Sequence, residues 1–141
     1  MTYVIDSSVI VKWVLAEPDS DKAVRLRDDL RNSVHELLSP DIFTVEASHA
    51  LTRAERQGRI AVGQARTLLL DILTTPPQVF PFQPFLLRAI DIASAVRVGV
   101  YDCIYVALAE QEKCELMTAD ATMVRALRPA FPFIRPLASF P

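Results

Sequence analysis

Two carboxylates lie at element boundaries within one stretch of the sequence, Val100 to Asp120. Asp102 stands at the start of an almost wholly apolar segment, Cys103 to Ala109, and Asp120 follows the short run Glu115 to Thr118. The first segment is apolar on every side and predicts a buried helix, whereas the second is short enough to be an inner strand. Because open α/β sheets bind ligands at the carboxyl ends of their strands, we expect Asp120 at that edge and Asp102 in the first helical turn.

Two further acids have similar predicted positions. Asp6 directly follows a strand predicted over Thr2 to Ile5, so it is another carboxylate at a strand end. Glu46 belongs to a helix predicted over 41–58, whose apolar stripe includes Phe43. At roughly 100° per residue, Glu46 lies about 60° from Phe43 around that helix. We therefore expect Glu46 near the core rather than free in water.

Each of the four acids also has an ordinary structural explanation. Asp102 and Asp120 can be helix caps, Asp6 a turn residue, and Glu46 the edge residue of an amphipathic helix. Together, however, the four would crowd negative charge into one crevice, which destabilises the fold unless protons or cations neutralise it. Oxygen ligands without histidine or thiol nearby favour hard ions such as Mg²⁺ or Mn²⁺. Ions held in this way are typical of phosphoryl chemistry, in which one activates water and a second stabilises the leaving oxygen.

Strand-like and helix-like segments alternate along the whole chain. Strands are predicted at 2–5, 36–39, 78–82, 115–118 and 133–137, and helices at 9–15, 19–31, 41–58, 62–75, 84–99, 103–109 and 121–127. Gly99 is a favourable C-terminal cap, and the prolines near the last strand predict an edge position. This alternation, with right-handed crossovers, predicts a parallel sheet covered on both faces. We expect a single domain over 1–141, because no segment is long enough for a linker.

Composition and charge narrow the class of protein. The chain has 141 residues, of which 51% are apolar and 23% charged, a balance typical of a globular domain with its own core. Cys103 and Cys114 lack the Cys/His spacing that zinc needs, so a reduced, cytoplasmic chain is expected. Lys12 interrupts the first apolar run, which argues against a signal peptide or a membrane span. The net charge of −2 argues against a general nucleic-acid coat protein, although acids engaged with metal would leave the remainder positive.

Short motifs surround the four acids. Asp6 is followed by Ser7-Ser8, Glu46 lies within PDIFTVEASHAL, Tyr101-Asp102 precedes CIYVALA, and the last acid ends Thr118-Ala119-Asp120. These motifs resemble the PIN-domain ribonucleases, most closely the VapC-type toxins of toxin-antitoxin pairs. The pair YDxxYxALA and TAD at this spacing is fairly specific, and the resemblance covers nearly the whole chain. Cys103, where the family often has alanine, and the proline-rich tail depart from the pattern without touching the acids.

The resemblance implies a fold and an activity. The fold is a three-layer α/β/α domain whose five-stranded parallel sheet has the order 3-2-1-4-5, which puts Asp6 and Asp120 on either side of the crevice. The activity is that of a metal-dependent endoribonuclease that is held in check by a small cognate antitoxin and forms a homodimer. The implied catalytic and metal-binding residues, which would hold one or two Mg²⁺ or Mn²⁺ ions, are Asp6, Glu46, Asp102 and Asp120. The implied supporting residues are Ser8 and Thr118, through hydrogen bonding.

Two other features favour partner binding. Arg53, Arg56 and Arg59 form a basic segment that can contact RNA or an antitoxin, with a solvated helix face as the alternative. The apolar runs Val9 to Leu15 and Leu68 to Leu70 exceed what one buried stripe needs. They predict a surface for a second copy or an antitoxin, with ordinary core as the alternative.

Three other functions compete with the toxin assignment. A receiver-like or phosphatase-like sheet also puts an aspartate after strand 1, but Ser8 stands where such a phosphatase needs a second aspartate. The chain can also be a PIN-fold RNA-processing nuclease outside a toxin pair, or a catalytically silent binding module of the same fold. Retention of all four acids argues against the silent module, because a protein released from catalysis gains stability by losing buried like charges.

Overall fold

A computed structural model describes residues 1–141, and its central element is one sheet of parallel strands. The strands are β1 (Thr2–Ile5), β2 (Glu36–Pro40), β3 (Gln78–Phe80), β4 (Glu115–Thr118) and β5 (Ile134–Pro136). Their order across the sheet is β3-β2-β1-β4-β5, and every neighbouring pair is parallel. The predicted fold class, the strand order and the edge position of the last strand are confirmed.

Helices cover both faces of the sheet. Val4 and Ile5 of β1 are fully buried, as are Leu116 and Met117 of β4. Because consecutive residues of a strand point to opposite faces, burial of such pairs requires a layer on each side. The helices are α1 (Ser7–Ile10), α2 (Ser20–Arg31), α3 (Phe43–Arg56), α4 (Gln64–Thr74), α5 (Leu86–Val96), α6 (Val100–Glu112) and α7 (Ala121–Leu127).

Helix α6 forms the centre of one layer. Every residue from Cys103 to Ala109 is buried, and the helix packs on β1, β2 and α5. The prediction of an all-round buried helix is therefore confirmed. The chain must return to the amino edge of the sheet before β4 starts, so α6 begins at the carboxyl edge and carries Asp102 there. No single helix is long and apolar enough to cross a membrane; the 83–96 and 100–112 helical segments meet that test only as a pair bent by 117°.

The predicted C-terminal cap at Gly99 is wrong. Helix α5 ends at Val96, and Arg97 adopts the left-handed conformation instead, with φ of 66°. Gly99 is extended, with φ of −66° and ψ of 149°, and precedes the first residue of α6. Val98, in the short connection between the two helices, packs against the core.

The apolar run Val9 to Leu15 is core and not a partner surface, which corrects the prediction. Val9, Ile10, Val11, Trp13 and Leu15 are all buried. After the single turn of α1, the chain winds more tightly as a 3₁₀ helix over Val11–Trp13, and both α2 and α3 pack against it. Within the second run, Leu68 and Leu69 are half-buried, whereas Leu70 is exposed.

Candidate active site

Asp6 lies at the carboxyl end of β1 and is the most buried of the four acids. Its Oδ1 accepts hydrogen bonds from the Ser8 hydroxyl at 2.5 Å and from the Val9 backbone N–H at 3.2 Å, which makes it the N-cap of α1. Its Oδ2 accepts a hydrogen bond from the Thr118 hydroxyl at 2.5 Å. Burial raises the pKa of Asp6 from 3.8 to about 7, although these three hydrogen bonds act in the opposite direction.

Ser8 and Thr118 connect the ends of β1 and β4. While its own proton goes to Asp6, the Ser8 oxygen accepts a hydrogen bond from the Ala119 N–H at 2.9 Å. In the same way the Thr118 oxygen accepts one from the Asp120 N–H at 3.1 Å. Each hydroxyl therefore donates its hydrogen to Asp6 and accepts a hydrogen bond from a backbone N–H in the segment after β4. This arrangement fixes the position of both strand ends.

Asp120 begins α7 and is half-buried. Its Oδ1 accepts hydrogen bonds from the Thr122 N–H at 2.9 Å and the Met123 N–H at 3.3 Å, so the side chain caps the helix. The structural explanation offered for this residue is therefore correct. Both bonds involve Oδ1, however, so Oδ2 has no hydrogen-bond partner. One carboxylate can thus cap α7 and still offer an oxygen to a ligand.

Glu46 is held by a residue that the motif analysis did not single out. The Tyr105 hydroxyl donates a hydrogen bond to Glu46 Oε1 at 2.6 Å. Burial raises the pKa of Glu46, while hydrogen bonds from Tyr105 and Ser7 lower it. Tyr105 follows Asp102 by three residues and therefore shares its face of α6. A tyrosine inside a buried helix needs a partner for its hydroxyl, and this was the signal in the sequence that could have identified it.

Asp102 has no hydrogen-bond partner, unlike the other three acids. It lies in the first turn of α6, where Gly99 is the N-cap, so it is not the helix cap that the structural explanation allowed. Burial raises its pKa from 3.8 to about 6, with further contributions from the negative charges of Asp120 and Glu46. The charge of Asp102 in turn helps to raise the pKa of Asp6. Asp102 is therefore near enough to each of the other three acids at the carboxyl edge for their charges to interact.

The donor chemistry of this crevice fits a hard divalent cation. All four side chains are carboxylates, and the hydroxyls that contact them already donate to Asp6, from Ser8 and Thr118, or to Glu46, from Tyr105. Burial is the main cause of the raised pKa values of Asp6, Glu46 and Asp102, and nearby negative charges raise those of Asp6 and Asp102 further. No three acidic, histidine or cysteine side chains are arranged to hold one ion together in this structure. The residues thus fit the ion by type, and the side chains would have to converge further to bind it.

None of the three predicted arginines pairs with the four acids. Arg53 and Arg59 line a depression beside Glu17, at a distance along the surface from the acids. Arg59 donates a hydrogen bond to Glu17 at 2.9 Å. Arg56 is exposed near the end of α3. Lys12 lines the cavity that also contains Asp120, and the sequence analysis did not identify it as a site residue.

Comparison with known proteins gives the family. Residues 3–127 match the PIN domain. Over 124 residues the chain is 31% identical to Ribonuclease VapC12 of Mycobacterium tuberculosis, an alignment that covers 87% of this chain and 90% of that protein. The chain belongs to the PIN domain family, as its motifs predicted, and its relatives include VapC-type ribonucleases.

Solved structures have the same fold. PAE2754 from Pyrobaculum aerophilum superimposes with a TM-score of 0.71 at 21% identity, covering 99% of this chain and 94% of that one. VapBC2 from Rickettsia felis, crystallised with a DNA fragment from its promoter, superimposes with a TM-score of 0.64 at 15% identity, covering 96% and 98%. At these identities the likeness concerns the fold alone.

Proposed function

We propose that this chain is a metal-dependent endoribonuclease, the toxin component of a toxin-antitoxin pair, which hydrolyses RNA phosphodiester bonds. The observation that carries the proposal is that the Asp102 carboxylate is unpaired in a half-buried position. This carboxylate is half-buried, has no hydrogen-bond partner, and has its pKa raised to about 6 by burial and by the charges of Asp120 and Glu46. A divalent cation would relieve that repulsion. The similarity to ribonucleases supports the same reaction class.

The residues of the crevice have distinct tasks under this proposal. The ion or ions, Mg²⁺ or Mn²⁺, would be held by Asp6, Glu46, Asp102 and Asp120. Once bound, they would activate the attacking water and stabilise the leaving oxygen. Ser8 and Thr118 orient Asp6 by hydrogen bonding to both of its oxygens, and Tyr105 orients Glu46. Capping by one oxygen of Asp120 keeps its other oxygen available at the crevice.

The proposal extends to partners and location. We propose one PIN-like domain over 1–141, a cognate antitoxin, a homodimer and a cytoplasmic location. Similarity to VapC12 and the fold of VapBC2 support the antitoxin. Large apolar side chains on the outer helices and loops would be covered by such partners. The exposed ones include Val45, Val62, Leu70, Leu73, Leu87 and Ile90.

Incubation of the purified chain with structured RNAs tests the function. We expect cleavage with Mg²⁺ or Mn²⁺ and none with chelator, and a reduction of about a hundredfold or more in cleavage by Asp102→Asn with either ion. Cleavage that persists in chelator would contradict the metal dependence. Absence of cleavage with every RNA and both ions would contradict the enzyme and favour a silent binding module. Cleavage that no co-expressed small partner suppresses would favour an RNA-processing nuclease outside a toxin pair.

A further inference from the structure

A groove runs along the carboxyl edge of the sheet past the proposed site. At one end it is a cavity of about 470 Å³, whose lining includes Lys12, Asp120 and Arg125. Lys12 also lines the next depression, together with Ser8 and Glu17. The two depressions share Ala119 as well, so they are neighbouring parts of one groove.

The groove continues towards α3. Glu17 and Val11 line both the middle depression and a third one, whose other lining residues include Arg53 and Arg59. The groove therefore has Arg125 at one end and the two arginines near α3 at the other. Two acids outside the proposed metal site line the groove: Asp19 lies in the cavity that contains Arg125, and Glu17 lies between Lys12 and Arg59.

Glu17 pairs with two of these cations at the same time. Its Oε1 accepts a hydrogen bond from Lys12 Nζ at 3.3 Å, and its Oε2 accepts one from Arg59 Nη2 at 2.9 Å. The exposed fraction of the side chain is 12% for Lys12, 22% for Glu17 and 41% for Arg59. Lys12 follows Ser8 by four residues, so its side chain lies on the same side of this helical segment as the carboxylate network.

A polyanion needs cations to approach such an acidic centre. RNA phosphates would be repelled by the four carboxylates, and Lys12 is the cation in the groove that shares a depression with Ser8. In this structure Lys12 and Arg59 have their charges directed to Glu17. The Arg59–Glu17 pair is partly exposed and contributes little stability, so a phosphate can replace the carboxylate as the partner of Arg59. Lys12 is less exposed, and a phosphate would reach it from the depression that Lys12 and Ser8 both line.

We propose that Glu17 occupies the place of an RNA backbone phosphate, and that Lys12 and Arg59 transfer from Glu17 to that phosphate when RNA enters the groove. This inference rests on the proposed ribonuclease function, because it names where that substrate's backbone lies. Glu17 is then an internal competitor that weakens RNA binding. Lys12 and Arg59 are positioning residues that set the strand beside the carboxylates.

RNA binding can be measured in the presence of chelator, so that this inference is tested without cleavage of the RNA. The probe is a fluorescein-labelled, mixed-sequence single-stranded RNA of about 16 nucleotides, and the readout is Kd from anisotropy at several salt concentrations. We expect Glu17→Gln to lower Kd about fivefold, and Lys12→Met or Arg59→Met to raise it about fivefold. Each lysine or arginine variant should also reduce the slope of log Kd against log salt by about 0.7, the value for one lost phosphate contact.

Matched variants at a remote ion pair control for net charge. Arg88 and Glu110 pair at 2.8 Å on the outer surface of α5 and α6, away from the groove. Glu110→Gln changes the net charge as Glu17→Gln does, and Arg88→Met changes it as Lys12→Met and Arg59→Met do. If Lys12→Met lowers the melting temperature, Arg59→Met, at the more exposed position, still tests the contact.

Several outcomes would overturn the inference. Equal effects of Glu17→Gln and Glu110→Gln on RNA binding would show that only net charge matters, while cleavage by the wild type in Mn²⁺ would leave the ribonuclease function intact. If the wild type neither binds nor cleaves RNA, both this inference and the proposed ribonuclease function are contradicted. With poly-glutamate as a second probe, a gain in affinity for that peptide but not for RNA would mean that the groove accepts an acidic polypeptide instead.

Discussion

Acids at the two edges of the sheet are in opposite electrostatic states. At the amino edge, Glu110 pairs with Arg88 at 2.8 Å and Glu115 pairs with Arg135 at 3.2 Å. The hydrogen bond from Arg88 lowers the pKa of Glu110. At the carboxyl edge no arginine or lysine pairs with the four acids, and the pKa values of three of them are raised. The same residue types are thus stabilised at one edge and left uncompensated at the other.

Cavity volume does not identify the same edge as unpaired charge does. The largest cavity, of about 550 Å³, lies at the amino edge and is lined by Met1, Lys113 and Glu115 among others. The acids that line it already have cationic partners or face solvent, so this cavity contains no unpaired buried charge that a ligand would neutralise. Unpaired charge in a half-buried crevice is therefore the better indicator of the site.

The largest expected difference between the edges is in activity. Asp102→Asn removes an anionic ligand at nearly constant volume and should reduce RNA cleavage about a hundredfold or more. Glu110→Gln, the equivalent neutralisation at the amino edge, should leave cleavage within a factor of about two of the wild type. Initial rates with a labelled RNA in Mn²⁺ give the comparison. Residual activity of Asp102→Asn above about a tenth of the wild type would contradict its assignment as a ligand.

Divalent cations should stabilise the fold through the carboxyl edge alone. An ion that binds only the native state contributes roughly 2.7 kcal/mol at a hundred times its Kd, which raises the melting temperature by several degrees. Asp120→Asn should melt higher than the wild type in chelator, because a repelling charge is gone, and gain less from Mn²⁺. Melting curves at matched ionic strength test this. An equal gain from Mn²⁺ in Asp120→Asn and wild type would mean that Asp120 only caps α7.

The pH dependence of stability should also originate at the carboxyl edge. In the folded state the pKa of Asp6 is raised to about 7 and that of Asp102 to about 6, so the native protein holds protons that the unfolded chain has released. This stabilisation is complete below pH 3.8 and is lost as the pH rises towards 7. We expect the metal-free free energy of unfolding to fall by roughly 3 kcal/mol between about pH 5 and 8, most of it from Asp6 because Asp102 is only half-buried.

Two variants locate the origin of that pH dependence. Asp6→Asn should remove most of the decrease in stability, whereas Glu110→Gln should retain it. Mn²⁺ should also oppose the decrease, since binding displaces the protons. Denaturant titrations of the three proteins at several pH values measure the effect. A decrease of the same size in Asp6→Asn would assign it to other groups.

The smallest expected effect compares two hydroxyls within the crevice. Thr118→Val leaves the buried Asp6 without one donor and the Asp120 N–H without its acceptor, and should cost about 1–2 kcal/mol. Tyr105→Phe should cost less than about 1 kcal/mol, because Glu46 is only half-buried and water can replace the hydroxyl. Urea unfolding of both variants ranks them. The reverse ranking would mean that the helix side of the crevice, and not the strand ends, holds the fold together.

Much of the fold was predictable because it depends on local patterns. The all-apolar segment Cys103 to Ala109 could only be a covered helix, and Glu115 to Thr118 only a short inner strand. The boundaries that were wrong, at Gly99 and in Val9 to Leu15, depend on how neighbouring elements pack. Spacing along one element carries no information about which other elements will cover it.

The common edge of Asp6, Asp102 and Asp120 followed from the sequence, because strand ends and the helix starts that follow them share one edge of a parallel sheet. The role of these acids and of Glu46 as metal ligands stays a prediction. The partners of those acids did not follow from the sequence. Thr118 reaches Asp6 across 112 positions of the chain, and Tyr105 reaches Glu46 across 59. The ion pairs of Glu17 with Lys12 and Arg59 likewise join the start of the chain to the end of α3. Residue types and local periodicity determined which groups carry charge, but only tertiary packing decided which charges are paired and which are left unpaired.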